Sequence, residues 1–439
     1  MTAQRIPPLL VTHSKGGVGV ARVYRLVDGT SLIPVGPTLP VGLETPSVYQ
    51  SAPNARAIRF KDDIYVSHRQ YIYRLDEGAN PTSGDDSWTT VHTCPDWVGG
   101  QGNSQHTGLW IVNIGKTPHL AMAYLGNNPT SSIKIAFSPD GENWTNVTTT
   151  GSSSISSSAS IGVAVVYKNS IFWVINQATV GIEVIESNFQ TQVSTLHNLS
   201  TIGSNTVGCD FCVFDDRLWH IGYSGTTNGT IRLSEYTGGT FVQRLIISTT
   251  NTTAGFPQCD TTIHNNTHHC LFTDGTDMFA ILVGDGGSTA SGNWCFRLQL
   301  SDGPGSTLTS TDITSTVMPP YLQLGGVNGN DDRFRWYSFL DNHTDPESPC
   351  IHLWIQDDDN LNTGNYAYYR WNGPNAMMST GYPGPNAGLA LPHTKQGGGE
   401  RIWSPRQANI EIVSRAPVEN GQCFAFKVYG DAGTVLKRV

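Results

Sequence analysis

The segment "CDTTIHNNTHHC", Cys259 to Cys270, gathers thiol, carboxylate and imidazole groups in one short stretch. Thiolate and imidazole are the groups Zn2+ prefers. His264 and His268 are spaced so that two imidazoles can meet one ion, and Cys270 follows closely. No Cys-x-x-Cys adjoins them, so a polar loop leading into the strand "HCLF" is the expected reading and zinc the alternative. A second run, "IQDDDNLNTG", brings Asp357 and Asp359 together with amide oxygens that could wrap Ca2+. It lacks the ligand spacing of an EF-hand, and solvated turns account for it without a metal. No cofactor is therefore expected. Glycoside hydrolysis needs two carboxylates at a set separation. The candidates, such as Asp62, Asp63, Asp215 and Asp216, come as neighbours in turn positions. No catalytic pair is assigned, and the chain is expected not to be an enzyme.

The elements that must position such groups are strands. Charged residues are only 14% of the 439, apolar residues 38%, with 47 Gly and 24 Pro. That is the composition of many short strands joined by turns. The net charge of -9 and the lack of a basic run exclude a nucleic-acid groove. No apolar stretch is long enough to span a bilayer. "MTAQRIPPLLVTHSKG" lacks the apolar length of a signal peptide. The eight cysteines are read as small buried residues rather than a disulfide framework.

A paired unit recurs: an apolar run, a polar turn, then an aromatic-containing run. "IRFKDDIYVSH", "AVVYKNSIFWVI", "CVFDDRLWHIG" and "CLFTDGTDMFAIL" place such turns near residues 62, 168, 215 and 274. The repeat is roughly 45 to 60 residues, the length of a four-stranded propeller blade with loop insertions. The fold class is therefore all-β, a β-propeller of four-stranded antiparallel blades. The count favours six blades, with five and seven as alternatives. Residues 1–50 supply N-terminal strands that could close the ring. Residues 51–375 supply the blades. Residues 376–439 supply a long loop and a strand pair that closes or extends the propeller. The tryptophans flanking the turns are expected to lie between blades.

The stretch "AFSPDGENWTNV" carries Ser138, Asp140, Gly141 and Trp144. It resembles the Asp-box of sialidase-like propellers, shortened by one residue between Asp and Gly. In families with that motif it makes a hairpin turn on the rim of a blade, away from the catalytic centre. Here it is expected to mark a blade boundary. "RIPPLLV" resembles the Arg-Ile-Pro segment that begins many sialidase domains, which implies a carboxylate-binding role for Arg5. The acidic residue and further arginines of that family have no recognisable counterparts. Taken whole, the chain resembles propeller-type hub, nozzle or adsorption proteins of bacteriophage tails. That resemblance implies a structural virion component in a homo-oligomeric ring. It would contact other tail proteins and serve host attachment. A carbohydrate- or receptor-binding propeller that takes a host glycan, and sits outside the cell, is one alternative. A sialidase-like glycoside hydrolase is the other.

Overall fold

In the computed structural model the described residues are 8–15, 18–27, 31–38, 56–61, 63–68, 70–76, 87–96, 106–126, 132–151, 160–177, 181–199, 210–224, 230–248, 270–284, 292–301, 307–319, 334–341, 350–357, 365–380, 409–418 and 421–429. They are almost entirely strands. β1 (Pro8–Lys15), β2 (Val18–Val27) and β3 (Ser31–Thr38) come first. Five four-stranded antiparallel sheets follow. The first holds β4 (Arg56–Phe60), β5 (Asp63–His68), β6 (Tyr71–Asp76) and β7 (Ser87–Thr93). The second holds β8 (Trp110–Ile114), β9 (Thr117–Gly126), β10 (Ser132–Ser138) and β11 (Thr145–Thr148). The third holds β12 (Ser160–Tyr167), β13 (Ser170–Gln177), β14 (Gly181–Asn188) and β15 (Val193–Asn198). The fourth holds β16 (Asp210–Phe214), β17 (Arg217–Ser224), β18 (Thr230–Tyr236) and β19 (Phe241–Ser248). The fifth holds β20 (Cys270–Thr273), β21 (Met278–Gly284), β22 (Gly292–Leu300) and β23 (Leu308–Asp312). A single helical turn, α1 (Thr314–Val317), comes next.

β24 (Phe334–Asp341), β25 (Cys350–Asp357), β26 (Asn365–Arg370) and β27 (Ser379–Thr380) form a further antiparallel run. It joins the hairpin β28 (Asn409–Val418) and β29 (Gly421–Tyr429) and the first three strands in a nine-stranded sheet. Within it β1 lies parallel to β29, with Leu10 opposite Ala425 and Ser14 opposite Tyr429. The architecture is all-β and propeller-like. Among the described residues no helix is long and apolar enough to cross a membrane.

The period-two pattern explains why the sheets stack. In β13, Ile171, Trp173 and Ile175 face the second sheet and join Trp110, Ala121 and Ile135 in one core. Phe172 and Val174, between them, face the fourth sheet and join Phe211 and Leu218 in another. A strand buried on both faces reads as a continuous apolar run, and "SIFWVI" does. Comparable cores join the first sheet to the second and the fourth to the fifth. Trp173 and Trp219 are fully buried in these layers. Truncating such rings typically costs roughly 3–5 kcal/mol. Cys94, Cys212, Cys270 and Cys295 are buried, as small apolar residues would be.

The turns read near 62, 168, 215 and 274 are hairpins between the first two strands of their sheets. Asp215 and Asp216 both lie at φ +52°, the paired positive values that match a two-residue turn to strand twist. One expectation is corrected. The Ser138–Trp144 turn is not a boundary between units; it joins β10 to β11 inside the second sheet. A polar turn has the same local chemistry in either place, and only the pairing distinguishes them.

Candidate functional site

The Ser138–Trp144 hairpin is built almost wholly from its own side chains. Ser138 Oγ donates to Asp140 Oδ1 at 2.9 Å and accepts the Gly141 N–H at 2.8 Å. Asp140 Oδ1 also accepts the N–H groups of Glu142 and Asn143 at 2.9 and 2.7 Å. Its Oδ2 accepts the Asn143 side-chain amide at 2.7 Å. Gly141 sits at φ +85°, and Trp144 Nε1 closes the turn on the Gly141 carbonyl at 2.9 Å. Both carboxylate oxygens are thus engaged in holding the chain.

The hairpin docks on the first sheet. Tyr65 Oη reaches the Asp140 carbonyl at 3.3 Å. Trp144 stacks on His92 with centroids 5.0 Å apart and planes 16° off parallel. His92 Nε2 meets Asn146 Oδ1 at 3.0 Å. Arg74 pairs with Asp76 at 2.8 Å in its own sheet and with Glu142 of the hairpin. The four residues singled out as an Asp-box therefore act together, and what they do is seat one sheet on its neighbour.

The Asn143 side-chain amide and backbone N–H hold the Asp140 carboxyl at about 2, below its ordinary 3.8. A group held lower when folded contributes fully above its unfolded value and loses that contribution as pH falls through the folded one. Between about pH 4 and pH 2 the wild-type fold is expected to lose more stability than Asp140→Asn. Urea midpoints across that range test this; parallel profiles would remove Asp140 as the source.

The same turn chemistry recurs where the sequence carries no Asp-box. Asn188 Oδ1, at the end of β14, accepts the N–H groups of Gln190 and Thr191 at 3.0 and 2.9 Å. Asp274 Oδ1 accepts those of Thr276 and Asp277, both at 2.9 Å. Phe189, buried beside Asn188, meets Phe137 of the second sheet edge-on at 6.2 Å. An Asx residue followed by polar residues is the available signal for these turns, but it is common in any loop.

A second polar cluster joins the third and fourth sheets. Glu186 accepts from Ser170 Oγ at 2.9 Å and from Tyr236 Oη at 2.7 Å, and meets His197 Nε2 at 3.1 Å. His197 Nδ1 meets the Gly239 carbonyl at 3.1 Å. Burial works to raise the Glu186 carboxyl, but hydrogen bonds from His197, Tyr236 and Ser170 outweigh it and hold the group below its ordinary value. Burial and Glu186 together push the Tyr236 phenol upward. A Tyr–Glu pair can serve nucleophilic catalysis when the carboxylate is free to take the proton. Here the carboxylate is already shared among three partners, and the cluster works as a clamp between sheets.

Arg5, His264, His268 and Asp359 lie outside the described residues. Cys270 is the first residue of β20 and fully buried, and Asp357 ends β25. Among the described residues no three His, Cys, Asp or Glu side chains group as a metal would need.

No family model matches the chain, and no curated protein sequence is similar to it. Solved structures do match. The intramolecular trans-sialidase from Ruminococcus gnavus is 13% identical, with TM-score 0.34, over 83% of this chain and 77% of its own. The SapL1 lectin is 14% identical, with TM-score 0.33, over 74% and 95%. A Mycobacterium tuberculosis puromycin-hydrolyzing peptidase is 12% identical, with TM-score 0.30, over 79% of this chain. The chain spans only 58% of that peptidase's length. No site residue is carried over from any of them.

Proposed function

We propose that this chain is a β-propeller that binds neutral glycans on the edge carrying its long connections. In this reading six four-stranded units surround one axis, and strands from both ends of the chain close the ring. Three contacts support the closure. Trp88 Nε1 of β7 donates to the Pro37 carbonyl of β3 at 2.8 Å. Asp341 of β24 pairs with Gly421 of β29. Trp371, just past β26, lies 4.7 Å from Phe279 of the fifth sheet, centroid to centroid.

The observation that carries the glycan reading is how the connections are sorted. Strand direction alternates in an antiparallel sheet. Turns between the first and second strands therefore gather at one edge, and every connection from one sheet to the next leaves from the other. The first kind are short, as between Phe60 and Asp63 or Tyr167 and Ser170. The second kind are longer: residues 94–109, 149–159, 199–209, 249–269 and 313–333. Three of them, 149–159, 199–209 and 249–269, are dense in Ser, Thr and Asn, hold no Lys or Arg, and have Asp260 as their sole carboxylate. Hydroxyl and amide groups on a rigid scaffold suit a ligand that is itself a neutral array of hydroxyls.

A glycan array with the intact chain and with a variant carrying a Gly/Ser linker in place of 249–269 tests this. Neutral glycans are expected to bind the first and to bind the second at least ~10-fold more weakly. A blank array at high protein concentration would overturn the reading. Were this edge instead a docking face in a phage tail, the purified chain would form rings and retain no glycan.

A further inference from the structure

The face of the fourth sheet turned toward the third changes character along its length. At the end nearer the short turns it carries Leu218, Tyr236 and Phe241. Farther along it is polar. His220 of β17 stands opposite Ser234 of β18, and Gly222 stands opposite Arg232. Cross-strand partners share a face, so His220 and Arg232 are diagonal neighbours, roughly 7 Å apart. Gly222 places no side chain beside Arg232, so β17 leaves the sheet face bare there, and this bare place is the slot meant below.

His220 is fully buried, with Phe211 and Phe241 flanking its ring at 5.1 and 5.8 Å. Among the described residues neither of its ring nitrogens has a hydrogen-bond partner, and neither has the buried Nε of Arg232. Buried polar groups are almost always partnered. Two unmet groups side by side in one layer point to a guest that supplies the acceptor. Glu186, the half-buried carboxylate between the third and fourth sheets, is already committed to Ser170, His197 and Tyr236.

The chemistry of the guest follows from the donors. Burial pushes the His220 imidazole down to about 3, so it is neutral and offers one N–H. The guanidinium of Arg232 offers its Nε–H. One cationic and one neutral donor suit a single negative charge spread over two oxygens, and such bonds to guanidinium are charge-assisted. The wall from the third sheet is apolar, with Phe172, Val174 and Val184. It favours a short apolar body behind the charge. On the outer side Ile246 stands opposite Arg232 and is 45% exposed, so this flank of the face meets solvent.

We propose that the slot between Arg232 and His220 binds a small carboxylate, one oxygen accepting from Arg232 Nε–H and the other from the imidazole N–H of His220.

Acetate is the probe, with chloride at equal ionic strength as its control. The full chain is titrated while the imidazole signals of His220 are followed by NMR and thermal unfolding is recorded. Acetate is expected to shift those signals saturably and to raise the melting temperature beyond the chloride control. Arg232→Gln is expected to weaken the response ~10-fold. His220→Phe keeps an aromatic ring in the core and is expected to fold while losing the response. Signals unmoved by acetate would mean that water alone fills the slot, and that overturns the proposal. So would an unchanged acetate response in both variants. The proposal does not rest on the glycan reading: acetate binding beside a blank glycan array would leave it standing.

Discussion

Replacing Gly141 with alanine is expected to lower the stability of the fold by roughly 2–4 kcal/mol, read from the urea midpoint. Two effects act together. The backbone there is at φ +85°, where a Cβ is strained. The added Cβ would also stand 2.2 Å from Tyr65 Oη and 2.3 Å from Cζ, far inside contact distance. Relief requires Tyr65 to move, and Tyr65 is buried at 1% exposure in the core shared by the first and second sheets. Making the change in a Tyr65→Ala background separates the effects. The clash disappears there and the backbone strain remains, so Gly141→Ala should cost less than it does alone. Equal costs in the two backgrounds would show that the ring does not set the limit.

Asp210→Ala is expected to cost roughly 3 kcal/mol by the same measurement. Asp210 is fully buried at the start of β16. Its Oδ1 accepts the Phe211 N–H at 2.8 Å, and its Oδ2 accepts the Leu271 N–H of β20 at 2.9 Å. One carboxylate thus ties the first strand of the fourth sheet to the first strand of the fifth. Alanine leaves two backbone donors without their carboxylate acceptor where water cannot replace it. Asp210→Asn keeps one carbonyl oxygen and should cost less. If asparagine and alanine cost the same, a single acceptor oxygen does not hold the tie and both carboxylate oxygens are needed together.

The hairpins were legible because their chemistry is local. Lys168–Asn169 and Asp215–Asp216 lie between apolar runs of alternating pattern, and that is sufficient to place a two-residue turn. The Ser138–Trp144 turn was legible for the same reason, in Asp140 as acceptor of backbone N–H groups and Gly141 at positive φ. Its position within the second sheet was not, because a turn inside a unit and a turn between units are made of the same residues. Asn188 makes a closely similar turn without a Gly or Trp to announce it. The partners of Asp210 and Glu186 were hidden for another reason. Leu271 and Tyr236 are far along the chain, and no spacing rule links them to the acids they serve. The parallel pairing of β1 with β29 joins the two most distant strands of all, and neither strand differs in pattern from its neighbours.

The unmet donors on the fourth sheet had no sequence signal either. Arg232 and His220 each look like one polar residue within an ordinary strand. Their significance comes from register, which sets them side by side, and from Gly222, which puts no side chain beside Arg232.

That parallel pairing also decides how the molecule bears a load. Tension applied before Pro8 and after Tyr429 would drag β1 and β29 in opposite directions along their shared length. The backbone bonds from Leu10–Ala425 to Ser14–Tyr429 would then be strained together rather than opened one after another. The terminal sheet is a shear joint, built to hold where the chain is pulled from its ends.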